Sequence, residues 1–588
     1  MNSKIVAASM AALATAIVAL PTAASAQSQS MAAHYQQSPA KADTAIPPIL
    51  SRDERAHYDN VFRAIDREQW ADVEMLLAQR PDGTLQQLAQ AEYYTHANSP
   101  KIEAAKISAW LQQGVDLPQA EQLTRMGATR GVEQIPMLPQ PQSFSGQPYA
   151  PKRIRPRSVN DGTMPADIKD AILEHIKNDD PTGAQLLLAG IDFQLSPEAR
   201  AEWRQRVAWS HYIENNDNEA LQLAETVAQG SGPWVAEGEW VAGLSAWRLG
   251  YCELSGDAFK RAAAQSTNSE LTSAAHYWAH RALVRCRKPG EAEKHLAAAA
   301  RMDETMYGML AADQLGIEFP REVTPQPFTR DDWREIENVR NVRVAAALVE
   351  LGRPGLADEV LRHQARIGDA SDYDALSRFA RELGLPSTQL FLAHNAPRGR
   401  QSDAALRFPV ARWQPSDGWK VDPSLAFAHA LQESNFRAAA VSPANARGLM
   451  QITPITVREH APRLNMNASY VDLNDPEVNL AFGQRNLEML RDSSATEGKL
   501  PKIMAAYNAG LTPISRWNTE VRDMNDPLLY MESIPYWETR GYVSIVMRNY
   551  WMYERAAGVS SPSRRALAQG QWPTFPEMER RRTAHLQR

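Results

Sequence analysis

From Ile49 to about Phe391 the apolar residues fall at helical spacing, in short paired runs separated by polar turns. Asn218-Glu219-Ala220-Leu221, Gly256-Asp257-Ala258-Phe259 and Gly290-Glu291-Ala292-Glu293 each open the second helix of such a pair. The aligned alanines Ala220, Ala258 and Ala292 lie 38 and 34 residues apart, and Trp209 and Trp247 share one position in the first helix. Ala71, Ala184 and Ala357 head similar helices elsewhere. A degenerate repeat of roughly 34 residues, with Trp and Ala at fixed offsets, predicts stacked helical hairpins that bury one continuous core and curve into a superhelix.

Residues 132–165 interrupt that pattern with Pro136, Pro139, Pro141, Pro148, Pro151, Pro156 and Pro165. Proline removes an amide donor and blocks helix, so this stretch is expected to cross the solenoid surface as an extended segment. Its Lys152-Arg153-Ile154-Arg155-Pro156-Arg157 cluster reads as a solvated strip. A second break, from Phe319-Pro320 through Pro325 and Pro327, precedes further helices. Residues 400–417 are polar and proline-interrupted, as a linker would be. Residues 418–557 return to a helical period over an ordinary domain length. The expected fold is therefore all-α: a helical-hairpin solenoid over 49–391, then a compact α-helical domain over 418–557. A basic tail, 558–588, frays, packs as a short strap, or touches an anionic polymer.

The first 26 residues change the picture of where the chain works. Lys4 precedes an apolar run from Ile5 to Leu20, and Ala24-Ser25-Ala26 supplies small residues for cleavage before Gln27. The run is short for a bilayer span, so a removed export signal is favoured over a membrane anchor. Residues 27–48 read as a flexible leader, and no later segment is long and apolar enough to span a membrane. The net charge of -6 argues against nucleic acid as the main partner. An exported chain can pair its two cysteines, Cys252 and Cys286. They sit at equivalent places in adjacent repeats. Packed helix axes lie about 8–10 Å apart, whereas bridged Cα atoms must come within about 7 Å. A bridge near the loops and two unpaired buried thiols both remain open.

One carboxylate stands out. Asp422-Pro423 is a good helix start, with Asp as cap and Pro at the first helical position. The helix after it is apolar nearly all round and therefore buried, and it ends at Glu433. No Asp or Glu occurs between Ser434 and Arg458. A lone carboxyl in apolar surroundings resists ionisation and can serve as a general acid. From position alone, a carboxylate that merely meets solvent where the helix surfaces is an equal reading.

Further motifs tip the balance. In order come the Glu433-Ser434 pair, Ser442, Gly448-Leu449-Met450-Gln451, and Ala506-Tyr507-Asn508-Ala509-Gly510. Glu532-Ser533-Ile534-Pro535-Tyr536 then runs into Glu538-Thr539-Arg540-Gly541-Tyr542-Val543. With this spacing the sequence resembles the lytic transglycosylases, specifically the large soluble periplasmic type with a doughnut-like helical superhelix and a lysozyme-like C-terminal domain. The tight match covers about Ser424 to Tyr550, and Tyr307-Gly308-Met309-Leu310-Ala311 looks like the family's linker region. The resemblance implies that Glu433 is the single catalytic acid and base, and that Ser442 holds the substrate's N-acetyl side. It makes Met450 and Gln451 cleft-lining residues. Tyr507 and Asn508 would bring a phenol and an amide to the reacting sugar, and Glu538 would contact substrate or peptide stem. The bland alternatives are a core-filling Met450, a buried Tyr507 that caps a helix, a helix C-cap at Asn508-Ala509-Gly510, and a Glu532 that caps or pairs with Arg540. Asn445 stands where the family often has Gly, and as Asn it still tolerates a left-handed backbone. Thr453-Pro454 replaces a more usual Met-Pro, which bears on sugar preference.

The same resemblance implies a periplasmic enzyme acting on the glycan strands of peptidoglycan. Glu433 would protonate the oxygen between N-acetylmuramic acid and N-acetylglucosamine, then deprotonate the muramic C6 hydroxyl, which closes a 1,6-anhydro ring. Neither cofactor nor metal is implied: the thirteen His show no ligand spacing near Glu433, and His429 and His460 read as incidental. The solenoid would hold glycan strands or partner cell-wall enzymes. Two rivals are a lysozyme-type hydrolase, with Glu532, Glu538 or Asp475 as second carboxylate, and a non-catalytic glycan-binding scaffold.

Overall fold

The computed structural model describes residues 45–317 and 326–576. The stretches expected to form an export signal and most of the leader, residues 318–325 of the second proline break, and the tail arginines Arg580, Arg581 and Arg582 lie outside the described residues. The described chain is all-α, with one two-stranded ladder. No helix among the described residues is long and apolar enough to cross a membrane.

Three hairpins carry the repeat: Pro197–Ile213 with Asp217–Val227, Trp234–Leu249 with Cys252–Gln265, and Ser269–Arg285 with Pro289–Ala300. The three aligned alanines are almost fully buried, at 0%, 2% and 1% exposure. A larger side chain there would push the helices of each hairpin apart. Gly243 meets the ring of Phe259 so closely that a Cβ would collide with it. Thus the recurring small residues mark helix crossings. Cys252 opens one hairpin's second helix, Cys286 caps the next hairpin's first helix, and the two are joined with Cα atoms 5.6 Å apart.

The solenoid closes on itself. Helices between Arg52 and Thr129 share a core with helices between Arg330 and His394, from which they are remote in sequence. The seam is pinned by Glu350, which accepts from the Ile49 amide at 2.6 Å and pairs with Arg55 at 2.8 Å. Arg353 pairs with Asp66 at 2.6 Å, and Arg340 with Asp116 at 2.9 Å. The proline-rich segment runs extended between these layers. Its strand β1 (Phe144–Gly146) pairs antiparallel with β2 (Asn395–Pro397), with Ser145 opposite Ala396.

Two expectations need correction. The hairpins do not bury one continuous core of their own. The core from Ala208 to Ala312 runs directly into the C-terminal helices, while the N-terminal helices keep a separate one. The physical reason is helix Met306–Leu315, buried from Met306 to Ala312, which packs both on the hairpin helices Ser269–Arg285 and Pro289–Ala300 and on the C-terminal helices Trp537–Ala556 and Pro562–Ala568. Polar contacts also cross the junction: Tyr212 Oη to Ser533 Oγ at 2.8 Å, Arg248 donating to Ser533 at 2.9 Å, and Tyr307 Oη donating to Glu532 at 2.7 Å. The basic cluster is also not uniformly solvated. Lys152, Arg155 and Arg157 are exposed, but Arg153 is drawn in by Glu237 at 2.7 Å and Glu532 at 3.8 Å. Residues 558–576 take the strap form. Helix Pro562–Ala568 buries Leu567, and Phe575, only 5% exposed, bonds through its amide to the Gly498 carbonyl at 2.9 Å.

Candidate active site

Helix Pro423–Ser434 is the centre of the C-terminal unit. Asp422 caps it, accepting from the Ser424 amide at 2.9 Å, with proline at the first helical position. Every residue from Pro423 to Ala430 is buried. The helix then stops abruptly. Asn435 and Phe436 both take left-handed backbone, with φ of 52° and 59°. For a bulky residue such as Phe436 that costs about 1–3 kcal/mol, and its burial at 1% exposure holds it there. The sharp exit leaves Glu433 half-buried at the helix end.

Two phenols and an imidazole surround this carboxyl. Tyr542 donates its hydroxyl to Glu433 Oε1 at 2.6 Å. The His429 ring lies one helical turn before Glu433, 4.8 Å from Tyr507 and 6.1 Å from Tyr542. His429 is fully buried, and burial lowers its pKa to about 4, so the ring is neutral. Its Nδ1–H donates to the Leu425 carbonyl at 2.9 Å. Burial likewise holds both phenols well above their ordinary range, so they remain neutral donors. Glu433 is pushed up to about 7, by burial first and with a like-charge contribution from Glu538, against the lowering effect of the Tyr542 hydrogen bond. A carboxyl with this balance keeps its proton near neutrality and can release and regain it.

The sequence-predicted residues fall into place unevenly. Tyr507, at the end of helix Leu500–Ala509, commits its hydroxyl to the Met450 carbonyl at 2.8 Å. Met450 presents that carbonyl but not its side chain, which is fully buried against Gly483; the core-filling reading describes it better than a cleft wall. Gln451 is half-buried with φ of 48°, and its amide nitrogen donates to the Gly448 carbonyl at 2.9 Å. Ser442 is half-buried and shapes the preceding loop, its Oγ accepting from the Ala446 amide at 3.0 Å. Asn445 is left-handed with φ of 59°. Asn508 accepts from Thr539 Oγ1 at 2.6 Å, which ties its helix to helix Trp537–Ala556. Glu538 is exposed one turn before Tyr542. Of the other candidate carboxylates, Glu532 is buried and engaged by Tyr307 and Arg153, while Asp475 caps helix Pro476–Asp492. Arg540 donates to the Glu532 and Ile534 backbone carbonyls, each at 3.4 Å.

Three residues at the site are not singled out by sequence reasoning. Tyr542 carries a signal, since it stands four positions after Glu538 on one helix face. His429 likewise stands four before Glu433, but with no ligand spacing around it the sequence reading takes it as incidental. Asn479 carries none: fully buried, it accepts from the Met450 amide at 2.8 Å and donates to the Arg447 and Leu473 carbonyls, each at 2.9 Å. It is the pin that fixes the Gly448–Gln451 turn.

Residues 413–529 match the family model described as the transglycosylase SLT domain. A Haemophilus influenzae protein provisionally named a soluble lytic murein transglycosylase is 30% identical over 46% of this chain and 45% of its own. The soluble lytic murein transglycosylase of Escherichia coli K12 is 33% identical over 24% of this chain and 22% of its own. The matched stretches therefore span less than half the length of these relatives. In overall fold, the 70-kDa soluble lytic transglycosylase of Escherichia coli superposes with a TM-score of 0.52 at 17% identity, over 90% of this chain and 100% of that one. A complex of the 70-kDa soluble lytic transglycosylase with bulgecin A gives 0.60 at 18% identity, with the same coverage. The chain thus shares the all-α superhelix with a lysozyme-like domain.

Proposed function

We propose that this chain is a lytic transglycosylase of peptidoglycan, exported to the periplasm, in which Glu433 acts first as acid and then as base. The observation that carries the reading is the Glu433 carboxyl at the end of a buried helix, bonded to Tyr542 at 2.6 Å and with its pKa pushed up to about 7 by burial, inside a stretch that matches the SLT domain.

Protonated Glu433 gives its proton to the glycosidic oxygen between N-acetylmuramic acid and N-acetylglucosamine. The C–O bond breaks and positive charge develops on the anomeric carbon. The Tyr542 hydroxyl, already pointing at Glu433 Oε1, steadies the carboxylate left behind. That carboxylate then takes the proton of the muramic C6 hydroxyl, whose oxygen attacks the same anomeric carbon and closes the anhydro ring. The hydroxyl belongs to the substrate itself, so proximity favours it over water. Tyr507 and Asn479 act on the Gly448–Gln451 turn, and Ser442, Gln451, Asn508 and Glu538 are the candidate sugar and stem contacts around it. The rival hydrolytic reading rests on Glu538, the carboxylate whose charge reaches Glu433.

Replacing Glu433 by Gln tests the assignment, because glutamine keeps the shape and cannot transfer the proton. Digestion of purified sacculi is expected to fall by about 10²–10⁴-fold, the usual worth of general acid–base catalysis. Sacculus binding and melting temperature should persist. Undiminished cleavage rejects Glu433 as the acid, and lost binding together with lost folding rejects the variant as a probe.

A further inference from the structure

A cavity of about 700 Å³ lies between the helical hairpins and the C-terminal unit. Helix Trp537–Ala556 separates it from Glu433: Tyr542 turns to the carboxyl, while Trp537 and Arg540, on another face of the same first turns, line the cavity. One end is cationic and aromatic. The Arg540 guanidinium stacks 3.9 Å from the Trp209 ring centroid and 5.0 Å from that of Trp537. Arg155 lies over the same Trp537 ring at 5.7 Å and over Trp234 at 5.6 Å. Their neighbours are neutralised, Arg153 by Glu237 and Arg206 by Glu202, each at 2.7 Å. Among the described residues neither Arg155 nor Arg540 has a carboxylate oxygen within 4.0 Å. Arg540 makes only long bonds, 3.4 Å, to the Glu532 and Ile534 carbonyls. Its pKa is drawn down to about 10 by burial and by Arg153.

The other end is acidic. Glu214, Asp179 and Glu520 converge there, and Glu214 is raised by burial and then by the other two. Arg516 offsets part of this charge by pairing with Glu520 at 3.0 Å. Arg206 and Glu214 mark the two ends along one helix. At 1.5 Å per residue they stand about 12 Å apart. Such a cavity is a dipole: unpaired guanidiniums stacked on tryptophan at one pole, crowded carboxylates at the other.

We propose that this cavity binds a short zwitterionic peptide, its carboxylate held by Arg155 and Arg540 beside Trp537 and its ammonium directed to Glu214, Asp179 and Glu520. Planar guanidinium forks match a planar carboxylate, and a lone phosphate would leave the acidic pole unanswered. Only the identity of the peptide met in the cell, a stem carrying amine and carboxylate, rests on the function proposed above.

The test uses the full chain carrying Glu433→Gln and a sugar-free probe, L-lysyl-D-alanyl-D-alanine, so that no glycan cleavage enters. Binding is read by calorimetry and by tryptophan fluorescence. The free peptide is expected to bind, and its C-terminal amide and diacetylated forms to bind at least about tenfold more weakly, the worth of one charge-assisted contact. Arg155→Gln, at an exposed position, should weaken the peptide by a similar factor with unchanged melting, and Arg540→Gln by more. Equal binding of the amide, no effect of Arg155→Gln, or tighter binding of inorganic phosphate than of peptide overturns the proposal. Loss of sacculus cleavage in Glu433→Gln bears on the function alone, and peptide binding on this cavity alone.

Discussion

Glu433 owes its raised pKa to its surroundings. Burial raises it, Glu538 adds to the rise, and Tyr542 moderates it. The pH dependence of activity should show this balance. kcat/KM for sacculus digestion should be level below about pH 6 and fall about tenfold per pH unit above 7, because the ionised acid has no proton to give. Tyr542→Phe removes the hydrogen bond that favours the carboxylate, so the descending limb should move to higher pH; a limb that stays put or moves lower contradicts the assigned contact. Stability obeys the same linkage. The folded chain keeps this proton to about pH 7, whereas an ordinary glutamate releases it near 4.5. Its stabilising contribution is therefore complete below pH 4.5, declines as pH rises to 7, and is gone above. Glu433→Gln should gain on the parent by on the order of 3 kcal/mol across that window, read from urea unfolding at pH 4.5 and pH 8. Glu433 is visible in the sequence because a charged residue closing an apolar helix is a local event. Its surroundings are less visible: His429 packs on the remote Tyr507 and Tyr542 rings, Asn479 pins the Gly448–Gln451 turn from another helix, and Met450, expected to line the groove, offers a carbonyl instead.

Elements position these groups by how they end. Helix Pro423–Ser434 is cut off by two left-handed residues, and the next turn by Gly448, with φ of 74°. A Cβ on Gly448 would strike Asn479 and the Leu473 carbonyl. Gly448→Ala is therefore expected to cost at least about 2 kcal/mol from backbone strain and collision together. It should lower kcat by displacing the carbonyl that holds Tyr507; a variant with full stability and activity would show that the turn does not fix the site. Hairpin pairs, their aligned alanines and the proline break are legible in the sequence, because helical period and small-residue spacing are local signals. The fate of Arg153 is not, since the carboxylates that draw it in, Glu237 and Glu532, come from remote segments.

At the scale of the molecule the chain is a closed helical ring whose hairpins share a core with the unit that carries Glu433. The Cys252–Cys286 bridge, spanning 34 residues, staples two of those hairpins. Replacing both cysteines by serine should lower stability by about 3–4 kcal/mol in the chain-entropy model, read by calorimetry with and without reductant. A reductant-insensitive parent would mean the staple does not form in solution. Ring closure joins Ile49 to Glu350, far apart in sequence, and no local pattern announces it. The most direct measurement of the whole account is the mass of the sugars released from purified sacculi by the mature protein. Ends one water lighter than reducing muramic acid are predicted, since the C6 hydroxyl rather than water closes the reaction. Reducing ends alone would contradict the lone-glutamate mechanism and return Glu538 to the role of second carboxylate.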